Sequence, residues 1–426
     1  MAYETIEFQQ LQETLYYEKL PNGLDVYVLP KKGFQKTYAT LTTNYGSIDN
    51  HFVSLEGKEV KVPDGIAHFL EHKMFEEEEG DVFHEFSKYG AQANAFTSFD
   101  RTAYLFSSTD HVRKNVETLL DFVQRPYFTD ENVEKEKGII EQEIRMYDDN
   151  PDWRVYFGFI SSLYHRHPVK IDIAGTVESI RKITKEMIYT CYETFYHPNN
   201  MLLFVVGAVD PENIFSVVRQ NQAQKSFAEP KEIERFFAEE PDTAAQPRTE
   251  VNLSVDIPKC MMGYKETKIG LQGRDMLKQE LTTDILLDVL TGPSSSFYEQ
   301  LMEEGLIDDT FGSDYTLEAR YGFSIIGGNS KNPDLLVQKV QQHIEKVKQD
   351  GLDPQEFERN RRKKIGAFLT ALNSPEFIAN QFTRFQFNEM NLFDVIPVLE
   401  EIQFEDVSQR LHEHVQDEQF AVCIVK

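Results

Sequence analysis

The chain is poor in several things at once, and each shortage closes off a class of function. Among its 426 residues are three cysteines, Cys191, Cys260 and Cys423, too few and too scattered for a disulfide framework or a cysteine-built metal cluster. A reducing cytoplasm is the expected location. Basic side chains are outnumbered, 44 Lys and Arg against 71 Asp and Glu, giving a formal net charge of -27. Nucleic acid needs a basic surface to displace its counterions, so it is not an expected partner. Long apolar runs are absent as well. The longest, MLLFVVGAV at 201–209, has the length of a buried strand and falls far short of a membrane span. The opening MAYETIEFQQLQETLYYEKL carries acidic residues and no apolar core, and is expected to be neither a signal peptide nor an Arg-rich transit peptide. No glycine-rich phosphate loop occurs. What is present is 40% hydrophobic sequence without low complexity, enough for two or three folded domains with a sizeable core.

The chain also repeats itself. ITKEMIYTCYETFYHPNNMLLFVV (183–206) aligns without a gap to IQFEDVSQRLHEHVQDEQFAVCIV (402–425) at an offset of 219. Each copy reads as an amphipathic helix, a polar turn and a strand. VFHEFSKYG (82–90) pairs with FYEQLMEEG (297–305), setting Gly90 against Gly305. Two matches in the same order imply two similar domains. The polar, proline-bearing stretch 227–250 is the expected linker, giving a division into 1–226, 227–250 and 251–426. In the first half, strands are expected at 24–29 and 36–43, then a helix from about 65, a helix at 82–89 and strands around 93–107. Helices follow at about 112–124 and 130–147, with a closing strand after 200. The mixture lacks a βαβ rhythm. The expected fold class is α+β, two similar tandem domains, each a mostly antiparallel sheet packed with helices.

The candidate chemistry lies in GIAHFLEHKMFEEEEG (65–80). His68 and His72 are four apart, so on a helix they share a face and both imidazoles can reach one ion. Glu71, three after His68, lies close to that face, where it can touch a water held there. Zinc takes imidazole and carboxylate ligands, and a catalytic zinc keeps three from the protein with one position open. The H-x-x-E-H order is the inverted zincin motif. A third ligand is needed, and the glutamate-rich helix in NVEKEKGIIEQEIRMYDDNP (132–151) offers Glu136 and Glu143, two turns apart on one face. Ile139 and Ile140 between them mark that face as buried, where a carboxylate needs a partner. Glu134 and Glu141 fall on other sides and read as solvated. The histidines of YHRHP (164–168) and LHEHV (411–415) are two apart and point different ways, and His197 reads as a turn residue.

HFLEH followed after 70 residues by Glu143, with Glu136 seven before it, resembles the pitrilysin/insulinase family of zinc peptidases. GAQANAFTSFDRTAYLF (90–106), EIRMYDDNPDW (143–153), HPVKIDIAGTVESI (167–180) and FYHPNNMLLFVVGAVD (195–210) fit the same family, and within it the chain most resembles the bacterial YmfH-like branch. The resemblance covers the first half and, more faintly, the second. It implies that His68, His72 and Glu143 ligate Zn2+, that Glu71 is the general base of peptide hydrolysis, and that Glu136 supports the ligands without being one. It further implies that Asn94 and Ala95 lie on an edge strand to which an extended peptide substrate adds.

The second half has no histidine at the corresponding position, near TTDILLDVLTGPSSSF (282–297), so it is expected to be non-catalytic. Active family members carry an arginine and a tyrosine further on that grip substrate. Here LMEEGLIDDTFG (301–312) has Met302 for the arginine and Ile307 or Asp308 for the tyrosine, while the adjacent Arg320 and Tyr321, read as strand neighbours on opposite faces, are poor substitutes. The family therefore implies a heterodimer with a paralogous chain that lacks HxxEH and supplies the pair, or alternatively a homodimer, with each chain forming half of a peptidase chamber. The expected function is zinc-dependent endoproteolysis of unstructured peptides. The alternative is a peptide-binding component of a maturation complex, linked through that branch to modification of elongation factor P.

Overall fold

The structure is a computed structural model that describes residues 3–78 and 80–426. Its contacts divide the chain into two compact units, each with its own sheet.

The first unit comprises Met1–Ile144, Asp172–Phe237 and Leu372–Phe387. Its main sheet has seven strands, β1 (Glu4–Phe8), β2 (Glu13–Lys19), β3 (Asp25–Pro30), β4 (Thr37–Thr43), β5 (Gln92–Thr97), β6 (Thr102–Ser108) and β7 (Met201–Gly207). They lie in the order β1-β2-β3-β7-β4-β6-β5, antiparallel except for the parallel pair β3 and β7. β4 and β7, at the centre, are buried along their whole length, and β5 is an edge. Helix α1 (Ile66–Met74) packs on β5 and β6. It begins at Gly65, whose φ is 87° and where a Cβ would stand 2.4 Å from the carbonyl oxygen of Ala174, so only glycine fits. Helix α2 (Asp130–Asp148) starts from a reciprocal cap: Thr129 Oγ1 accepts from the N–H of Asn132 and Asn132 Oδ1 accepts from that of Thr129.

The second unit comprises Arg145–Ile171, Ala238–Ala371 and Asn388–Lys426. Its strands β8 (Arg248–Val251), β9 (Lys259–Tyr264), β10 (Gly312–Leu317), β11 (Gly322–Asn329) and β12 (Phe420–Val425) run in the order β8-β12-β9-β11-β10. The parallel pair, β8 with β12, stands where β3 with β7 stands in the first sheet. The duplication is therefore structural. The 219-residue offset carries a helix at Lys185–Phe195 onto one at Phe404–His414, and the start of β7 onto the start of β12. Gly90 and Gly305 both end a helix in the left-handed region, with φ of 65° and 63°.

The units are not contiguous stretches of chain. Helix α3 (Pro151–Leu163), from the first half, packs on β8, β9 and β12 of the second unit. Helix α4 (Pro375–Phe387), from the second half, packs on β4 and β7 of the first, where Phe382 stacks on Phe204 at 4.5 Å and meets Tyr27 edge-on at 4.9 Å. The stretch expected as a linker is held down on both sides of residue 237. In the first unit Arg235 bridges to Phe52 and donates to Asp49 at 2.8 Å; in the second, Glu240 accepts from three consecutive backbone N–H groups, those of His165, Arg166 and His167, and from Lys265. Arg320 and Tyr321, expected on a strand, lie in the turn between β10 and β11.

Candidate metal centre

Helix α1 is buried almost all round: Ile66, Ala67, Phe69, Leu70 and Met74 pack inward, and His68, Glu71 and Lys73 are buried with them. Its histidines share the face that the i, i+4 spacing requires, with ring centroids 4.5 Å apart. Helix α2 brings Glu143 to that face. His68 Nε2 lies 3.8 Å from Glu143 Oε1 and His72 Nε2 lies 3.5 Å from Glu143 Oε2. One donor atom from each of the three residues falls within 4.8 Å of the others, and among the described residues this is the one such group.

The donor set fits zinc. Ligand atoms bound tetrahedrally at about 2.0–2.1 Å stand about 3.3–3.4 Å apart, close to the observed separations. Burial, reinforced by the neighbouring His72, holds His68 down to about 3, so its imidazole is neutral and keeps a lone pair for a metal. His68 Nδ1 is buried without a hydrogen-bond partner among the described residues. His72 differs. Burial alone would lower it, but a 3.1 Å contact from Nδ1 to Glu136 Oε1 and the charges of Glu71 and Glu143 raise it overall. In the tautomer that directs Nδ1–H at Glu136, the lone pair is on Nε2, the nitrogen that faces Glu143.

Glu136 is thus placed behind His72, not among the ligand atoms. Burial opposes its ionisation, yet His72 and Lys73 hold it below the usual carboxylate range. Glu71 also stands outside the three-residue group. It is 8% exposed, burial raises it, and its Oε2 accepts a 2.7 Å hydrogen bond from Thr97 Oγ1 on β5. Asn94 and Ala95 lie on the same edge strand, Asn94 exposed, with the N–H of Ala95 donating to Asn94 Oδ1 at 2.9 Å. Ile139 corrects the sequence reading. It is 46% exposed whereas Ile140 is fully buried, because the buried side of α2 runs through Val133, Glu136, Ile140 and Ile144 and leaves Ile139 on its flank. Glu134 is solvated and pairs with Lys137, as expected; Glu141 pairs with Arg181. Of the other histidines, His197 caps a turn and His414 is buried beside Glu266.

Two residues at the centre escaped sequence reasoning. Thr97 was legible only as a strand residue of NAFTS. Lys73 follows His72 directly and is fully buried, pairing with Glu76 and Glu136. The sequence carried no signal for it, because beside His68, Glu71 and His72 it reads as one more polar residue of the helix.

The profile described as Insulinase (Peptidase family M16) matches residues 57–177, and that described as Peptidase M16 inactive domain matches 182–364. A solved structure from Alicyclobacillus acidocaldarius, described as an M16-like peptidase, superposes with a TM-score of 0.94 at 44% identity, covering 100% of this chain and 98% of that one. A protease of Helicobacter pylori shares the fold, with a TM-score of 0.83 at 22% identity over 100% of this chain and 99% of that one. A Bacillus subtilis relative that bears the name uncharacterized zinc protease YmfH is 57% identical over 99% of this chain and 98% of its own length. With identity of that order sustained along the whole sequence, the chain belongs to the insulinase family, peptidase family M16.

Proposed function

We propose that this chain is a zinc-dependent endopeptidase that cleaves unstructured peptides. One observation carries the reading: the donor atoms of His68, His72 and Glu143 converge, while a fourth residue, the carboxylate-bearing Glu71, is buried beside them and left out of the set. His68, His72 and Glu143 would hold the ion. Bound zinc would supply a Lewis acid and bring the pKa of a water toward about 7. Glu71, aimed by Thr97, takes the proton of the attacking water and returns it to the leaving amine. Glu136 fixes the ring of His72. Edge strand β5 receives the substrate as an added strand through Asn94 and Ala95, with the peptide displacing the local bond between them. Backbone pairing of this kind gives affinity with little sequence preference.

The same proposal extends to location and partner. No helix among the described residues is long and apolar enough to cross a membrane, and all three cysteines are buried free thiols, which supports work in the cytoplasm. Met302, 41% exposed where the family has its arginine, supports a heterodimer in which a paralogous chain supplies the arginine and tyrosine and completes a chamber for unfolded peptides.

The test compares Glu71→Gln with His68→Ala and Glu143→Gln. Wild type should hold about one zinc per chain. The two ligand variants should lose it, while Glu71→Gln should keep it and lose hydrolysis of an unstructured peptide, assayed with the paralogue present. Loss of zinc from Glu71→Gln to the same extent would make Glu71 a ligand and overturn the assignment.

A further inference from the structure

We propose that Lys73 is a positioning residue of the metal centre, its ammonium fixing Glu136 so that Glu136 in turn fixes His72. The inference rests on the reading in which His68, His72 and Glu143 hold zinc. Lysine is almost never fully buried unless paired, and Lys73 has no exposed surface. Its Nζ pairs with Glu76, three residues on, and lies 3.6 Å from Oε2 of Glu136. The other oxygen of Glu136 contacts Nδ1 of His72 at 3.1 Å. An unbroken chain therefore runs from Lys73 through both oxygens of Glu136 to the ring whose Nε2 faces Glu143.

Both oxygens matter. The terminal torsions of glutamate and histidine are broad and roughly two-fold, so a single contact leaves the carboxylate plane and the ring free to swing. Held at Oε2 by Lys73, the carboxylate of Glu136 presents Oε1 in one direction and keeps the proton of His72 on Nδ1. The ammonium cannot serve zinc by charge, because a cation repels a dication. By charge alone, removing it would tighten zinc binding; as a positioning residue, removing it loosens binding. The sign separates the two.

The experiment measures zinc affinity of the full-length chain by competition with a chromogenic chelator at one pH, which needs no activity. Lys73→Met is expected to weaken zinc binding about 10- to 100-fold, the range found when groups supporting a ligand are removed. Lys73→Arg should stay within about threefold of wild type. Glu136→Gln should match Lys73→Met, and the double variant should be no weaker than Glu136→Gln alone, since both cut one chain. Glu76→Ala, at a half-exposed side chain, should leave affinity unchanged. Wild-type or tighter binding in Lys73→Met, or full additivity with Glu136→Gln, overturns the proposal. So does zinc loss in Glu76→Ala, which would assign Lys73 to pinning the end of α1. If Lys73→Met does not fold, Lys73→Arg and Glu76→Ala decide: retained affinity in both supports the chain through Glu136, and loss in either refutes it. Retention of zinc by His68→Ala would refute the underlying site, whereas loss there with wild-type affinity in Lys73→Met removes only the role of Lys73.

Discussion

Thr97→Val separates the aim of Glu71, the proposed general base, from the proposed metal site. The hydroxyl of Thr97 donates to Glu71 Oε2 at 2.7 Å, a short bond to a buried acidic group. Valine has the same shape and β-branching, so β5 keeps its backbone conformation and loses one hydroxyl; Thr102 Oγ1, 3.4 Å from that hydroxyl, keeps its 2.9 Å bond to the Tyr45 carbonyl. A hydrogen bond to a charged group contributes about 1.5–3 kcal/mol. If that interaction is needed to hold Glu71 in the transition state, its loss reads out as about 10- to 150-fold in kcat/KM, at 1.36 kcal/mol per tenfold. On the proposed mechanism the loss should fall on kcat, with KM within about twofold, because Thr97 would act on the base while substrate would bind along the edge backbone. Zinc stoichiometry should stay at wild type. Thr97→Ser, which restores the hydroxyl, should recover most of the rate. The assay is hydrolysis of a quenched fluorescent, unstructured peptide by the chain with its paralogue, alongside metal analysis. Zinc loss in Thr97→Val, or a change confined to KM, would refute the reasoning.

Two further predictions concern the second unit. Glu240 is held down to about 2: burial opposes ionisation, but Lys265 and the N–H groups of His165, Arg166 and His167 outweigh it. A carboxyl lowered by folding stabilises at pH values above its unfolded value, about 4.3, and that contribution is lost as pH falls from about 4.3 to 2. Wild type should therefore lose about 1–2 kcal/mol more than Glu240→Gln across that window, after allowance for solvent screening, as read from urea midpoints; parallel curves would refute this. In the buried network of Glu266, Arg410, Tyr315 and His414, Tyr315 donates to Glu266 at 2.6 Å and His414 Nδ1 lies 3.2 Å from it. Glu266→Ala strands the Arg410 guanidinium and should cost about 3–5 kcal/mol in urea unfolding, while Glu266→Gln with Arg410→Met should cost less than Glu266→Ala alone. A cost under about 1 kcal/mol for Glu266→Ala would refute the ionic reading.

Much of this was legible in one dimension. The 219-residue repeat predicted matching boundaries, because a helix, a turn and a strand each leave a local periodicity. The i, i+4 histidines and the two-turn spacing of Glu136 and Glu143 encode faces, and faces were enough to bring the donor atoms together. What local periodicity does not encode is which surface an element meets. Ile139 and Ile140 are equally apolar and adjacent, but only packing decides that Ile140 turns inward. Composition marks 227–250 as the stretch between two domains, and it does not encode that Arg235 and Glu240 there find partners distant in sequence. Lys73 reads as a surface lysine until Glu136 arrives from another helix.

The exchange of α3 and α4 gives the duplication an evolutionary consequence. Two copies of an ancestral unit would at first have been separable, each encoding its own sheet and its own covering helices. Here the gene's first half encodes a helix that lies on the second sheet, and its second half encodes one that lies on the first. A chain cut at the natural seam would leave Phe204 and Tyr27 without Phe382, and β12 without α3. Neither product would inherit a complete hydrophobic interior. The duplicated halves have become one heritable folding unit, so losing the second half would also strip α4 from the sheet of the half that carries HxxEH.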